Sequence, residues 1–178
     1  MITASLFAMA VSAQATTVVF GNGGTSGFTG GGSQDGPASV GGVTLTVTPW
    51  ASGPGSASLT VSSDGYGVNS GYRDSDQIDG DDRDEGIILT FSQAVTITNV
   101  ELRGFSACCD DVDYTVDGVS SNGSNMVGTV FKISADERDS DFRVRSIDFN
   151  VSSVPEPATM VTAALGLGLV FLSRFRRQ

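Results

Sequence analysis

The 178-residue sequence predicts an all-β protein: an antiparallel β-sandwich of jelly-roll-like form, followed by a C-terminal transmembrane helix. Three observations carry that expectation. Short runs rich in Val, Ile, Thr and Phe alternate apolar with polar residues, glycine- and serine-rich turns separate them, and helical periodicity is missing before the tail.

In chain order the runs are 17–20, 43–48, 57–61, 86–91, 95–102, 112–117, 127–133 and 142–151. Val43, Leu45 and Val47 point one way while Thr44, Thr46 and Thr48 point the other, which suits an antiparallel sheet with one face on a core. Eight such strands within about 140 residues are the signature of a sandwich. In the last run the phase slips. Phe142 and Val144 share one face and Ile147, Phe149 and Val151 the other, so a bulge near Ser146 or a change of sheet is expected. Residues 21–42 are glycine-rich and read as a long surface loop around Phe28. Trp50 and the phenylalanines read as core, the alternative for Trp50 or Tyr72 being an exposed platform on which a sugar stacks.

Composition excludes several functions. The chain holds 20 acidic and 10 basic residues, and such an excess repels a phosphate backbone, so no nucleic-acid partner is expected. Without the tail the body has 7 basic residues against 19 acidic ones, a net charge of −12 that attracts divalent cations. Histidine is absent, which removes Ser-His-Asp and Cys-His nucleophiles and imidazole zinc sites. Paired carboxylates invite a glycosidase reading, but acids this crowded and exposed give no sign of one raised and one ordinary pKa. No enzyme is expected.

The two ends read as targeting segments. Residues 1–15 are small and apolar around Leu6, Phe7, Met9 and Val11, and end in Ser12-Ala13-Gln14-Ala15, with small-x-small cleavage patterns after Ala13 and Ala15. This is the core and cleavage site of a secretory signal peptide, partial because no Lys or Arg precedes Arg73; a buried first strand is the alternative. At the other end, Pro155-Glu156-Pro157 precedes the uncharged run 158–173, and Arg174, Arg176 and Arg177 follow. That run is shorter than the ~20 residues that span a bilayer comfortably. Arginines on one side place the C-terminus in the cytoplasm. The two prolines fix an extended segment just outside the membrane, accessible to a processing enzyme.

Residues 154–178, with motif, short helix and arginine cluster in that order, resemble the PEP-CTERM sorting tail. The resemblance implies a Gram-negative exopolysaccharide producer, export, transient or permanent residence in the inner membrane, and recognition by an exosortase. Processing near Pro155, Glu156 and Pro157 would then deliver the body, 16–153, to the cell surface or extracellular matrix. An uncleaved membrane anchor is the rival reading of the same residues.

Within the body, chemistry concentrates at 74–85, where Asp74, Asp76, Asp79, Asp81, Asp82, Asp84 and Glu85 crowd into twelve residues. Ca²⁺ takes six to eight oxygens from loops of this kind. Asp74, Asp76 and Glu85 fall at the first, third and twelfth positions of an EF-hand loop, but Ile78 occupies the fifth, Gly80 comes one residue late and no flanking helices are predicted. An EF-hand is rejected; a calcium-stabilised loop using Asp74, Asp76, Asp79, Asp81 and Glu85 stands beside a solvated acidic loop partnered by Arg73 and Arg83. Asp110-Asp111-Val112-Asp113 and 136–141 offer further acids, as ligands or as solubilising turns. Cys108 and Cys109 are adjacent. In an oxidising compartment a vicinal disulfide is one outcome, although a Cα separation of ~3.8 Å lies below the usual disulfide range; a bond to another molecule and two reduced thiols are the others. The functional expectation is a non-enzymatic, structural or adhesive surface or matrix protein. The alternative is a calcium-dependent carbohydrate-binding module, with exopolysaccharide as partner.

Overall fold

The computed structural model describes residues 15–151, apart from 26, 29, 72, 73, 75, 81, 82, 107–109 and 137–139. The segments expected to be a signal peptide (all but Ala15), a membrane helix and a sorting tail lie outside the described residues, as do Cys108, Cys109 and Tyr72. Among the described residues no helix is long and apolar enough to cross a membrane.

The body is all-β and antiparallel. Eleven strands follow one another: β1 (Ala15–Val19), β2 (Asp35–Val40), β3 (Val43–Ala51), β4 (Ser58–Ser62), β5 (Gly65–Asn69), β6 (Ile78–Asp79), β7 (Glu85–Arg103), β8 (Val112–Val116), β9 (Val119–Ser121), β10 (Met126–Ala135) and β11 (Asp141–Val151). The main path of pairing runs β4-β5-β11-β7-β10-β8-β9, with β1 and β6 added on β11 and the β2–β3 hairpin on β7.

β7 organises the rest. Its first half lies between β3, with Leu45 opposite Phe91, and β10, with Phe131 opposite Leu89. Its second half keeps β10 on one edge, but the other edge passes to β11, with Ile97 opposite Phe149. The two runs expected at 86–91 and 95–102 are therefore one strand. Ser92-Gln93-Ala94 holds no glycine or proline to end it, and the irregularity is absorbed as a register shift between Gly128 and Val130 of β10. The slip expected near Ser146 is present as a shift between Val144 and Ser146 against β7.

Alternation builds the core. Ile87, Leu89 and Phe91 of β7 meet Val43, Leu45 and Val47 of β3, Phe131 and Ile133 of β10, and Ile147 and Phe149 of β11, all buried. Phe91 packs edge-on against Phe131, with centroids 5.7 Å apart. Residues 21–42 are not the surface loop that their composition suggests. Phe28 is fully buried against Phe20, and Asp35–Val40 forms β2, because a glycine-rich chain still pairs where its few apolar residues reach the core.

Trp50 is a second departure. It is half-buried and outside the core, since it shares the outward phase of Thr44, Thr46 and Thr48. It lies opposite Gly86, and the Lys132 ammonium sits 3.9 Å above its ring. Phe105 is likewise largely exposed.

Core position predicts the cost of truncation. Phe131→Ala should destabilise the body by about 3–5 kcal/mol in urea unfolding, whereas Val119→Ala, at 70% exposure, should stay within about 0.5 kcal/mol.

Candidate acidic site

The acidic run is held against the sheet by its backbone. Thr60 donates its hydroxyl to the Asp76 carbonyl at 2.6 Å, and the Val68 N–H donates to the Gln77 carbonyl at 3.3 Å. Gly67 permits this approach, because a Cβ there would lie 2.1 Å from the Asp76 carbonyl oxygen. Ile78 is fully buried and β6 pairs with the start of β11, so the run crosses the barrier between loop and core.

The crossing brings three carboxylates together. One ligand oxygen from each of Asp74, Asp79 and Glu85 lies within 4.8 Å of the others. They come from the segment after β5, from β6 and from the first residue of β7. Asp76 is not in this group; its side chain faces Asn69 Nδ2 at 3.5 Å, and only its carbonyl faces the sheet. Of the positions that fit an EF-hand template, Asp74 and Glu85 therefore converge and Asp76 does not. Asp81 lies outside the described residues.

Glu85 is the unusual member. It continues the inward row of Ile87, Leu89 and Phe91, is completely buried, and neither carboxylate oxygen meets a hydrogen-bond partner. Burial pushes its carboxyl up to about 8, and the neighbouring Asp74 and Asp79 push the same way. Asp74 differs, accepting a hydrogen bond from the Ser70 N–H. Asp79 is nearly buried and is engaged by other contacts.

Arg83, a partner expected for these acids, is used elsewhere. Its guanidinium donates to the carbonyls of Ser52 (2.6 Å), Ser70 (2.9 Å) and Gly53 (3.3 Å), tying the β3–β4 connection to the acidic segment. Arg73 lies outside the described residues. Sequence reasoning missed both the role of Arg83 and the isolation of Glu85. The second had a signal: Glu85 stands two residues before Ile87, in the buried phase of a strand.

In the 110–113 cluster, Asp110 and Asp111 accept hydrogen bonds from nearby backbone, while residues 137–139 of the other cluster lie outside the described residues. The Val112 N–H donates to Asp111 Oδ1 at 2.8 Å, and the Ser106 N–H donates to Asp110. Asp117 accepts from the N–H groups of Val130 (2.9 Å) and Thr129 (3.2 Å), and these bonds hold its carboxyl below the usual range.

The described body is thus an all-β antiparallel domain carrying a partly buried three-carboxylate cluster. Residues 153–177 match the family model of the PEP-CTERM protein-sorting motif. That motif indicates an exported protein handled by exosortase-type sorting at the membrane. No curated protein and no solved structure matches the chain.

The buried carboxyl predicts a pH dependence in metal-free buffer. A folded value near 8 against 4.5 for the free group means that the folded state binds the extra proton between those limits. Stability should therefore fall as pH rises through that window and level off above 8, by up to about 5 kcal/mol at ~1.36 kcal/mol per pH unit. Urea midpoints measured in chelator between pH 5.5 and 8.5 test this, and Glu85→Gln should flatten the slope.

Proposed function

We propose that the chain is an exported structural or adhesive component of the cell surface or extracellular matrix, without catalytic activity. The observation that carries this reading is the sorting motif at 153–177. In keeping with it, the described body is all-β and antiparallel. A body of seven basic and nineteen acidic residues is repelled by its own copies and by anionic polysaccharide, so contact with an exopolysaccharide would need a bridging cation.

The second reading, a calcium-dependent carbohydrate-binding module on the same tail, draws on the cluster of Asp74, Asp79 and Glu85. Its aromatic half is weaker, since Lys132 covers one face of the Trp50 ring. Glycan binding that requires calcium would favour it.

Fractionation of a tagged native protein tests the sorting. With the exosortase present, the body should leave the inner membrane, shortened near Pro155-Glu156-Pro157. Without the exosortase, or with all three motif residues changed to alanine, it should remain there at full length. Retention in the inner membrane in both strains overturns the proposal.

A further inference from the structure

The geometry points to a calcium site formed by Asp74, Asp79 and Glu85, with the buried Glu85 carboxylate as its innermost ligand. The site is independent of the fate of the sorting tail and stands or falls by itself.

Two observations meet here. Three carboxylate oxygens lie within 4.8 Å of one another, and one of them belongs to a side chain with no exposed surface and no hydrogen-bond partner on either oxygen. An acidic cluster on a surface relaxes into water; Glu85 cannot. An ionised carboxylate buried without a partner costs several kcal/mol, so the group must carry a proton or face a cation. The nearby guanidinium of Arg83 is already committed to three backbone carbonyls.

The donor set selects the ion. All three ligands are carboxylates, and hard oxygen donors suit Ca²⁺ or Mg²⁺ rather than Zn²⁺ or Cu²⁺. Mg²⁺ keeps several of its waters in strict octahedral geometry, whereas Ca²⁺ accepts an irregular shell of six to eight oxygens and binds carboxylates in either one- or two-oxygen fashion. Three carboxylates from three separate segments suit the irregular shell of Ca²⁺ better than a strict octahedron. Because the ligands come from three segments, the ion would cross-link the stretch after β5 to β6 and to β7.

The test is thermal unfolding of the full-length chain in detergent, with chelator or with 10 mM CaCl₂. Calcium should raise the melting temperature by roughly 5–10 °C, as expected for an affinity in the range of extracellular calcium modules. Glu85→Gln, which preserves size, should abolish the shift, whereas Asp76→Asn, outside the cluster, should retain it. Should Glu85→Gln fail to fold, Asp74→Asn is titrated with CaCl₂ by calorimetry, and loss of binding is expected. No shift in the unsubstituted chain, a full shift in Glu85→Gln, or undiminished binding in Asp74→Asn overturns the site. An equal shift with MgCl₂ overturns the choice of ion.

Discussion

The register of β7 is the constraint on which the rest depends. From Glu85 to Phe91 every second side chain faces inward, and both edges are fixed, Phe91 opposite Leu45 on one side and Leu89 opposite Phe131 on the other. Side chains alternate with a period of two, so turning Glu85 to solvent by a one-residue slip would expose Ile87, Leu89 and Phe91 together. At ~1.5–3 kcal/mol for each buried apolar side chain, that slip costs more than one poorly solvated carboxyl. The sheet therefore imposes the environment of Glu85, and the segment before it must accommodate the charge.

That segment is fastened by groups other than its acids. Gly67 lets the backbone approach β5, Thr60 and Val68 bond its carbonyls, and Arg83 anchors it to Ser52 and Gly53 in the stretch that follows β3. With the backbone so held, Asp74 and Asp79 come close to Glu85 despite their mutual repulsion. Like charges in contact persist only where other contacts outweigh them or a counter-charge is supplied, and here much of the fastening is backbone hydrogen bonding. The acids are thus placed, rather than merely tolerated on a solvated loop.

What could be read from the sequence follows the same physics. The alternation of Val43, Leu45 and Val47 marks β3, and the phase slip around Ser146 marks the irregularity in β11, because each is a local pattern. β5 escaped notice because Gly65 and Gly67 interrupt the apolar signal of Tyr66 and Val68, although both glycines are needed where other backbone comes close. The β8–β9 hairpin was missed, although Asp117-Gly118, whose positive φ angles of 48° and 84° suit a tight two-residue turn, carried its signal. For the cluster, the acidic run was plain and Asp74, Asp79 and Glu85 stood among the five expected ligands, but the linear template also joined Asp76, which the fold turns toward Asn69. Proximity through space depends on where Ile78 is buried, and spacing along the chain does not encode that.

The tail and the cluster also bear on one another. The sorting motif indicates export, and outside the cytoplasm a protein meets calcium at concentrations matched by weak, oxygen-only sites. A cross-link made by an arginine would be permanent from the moment of folding; one made by a calcium ion forms only where the ion is supplied.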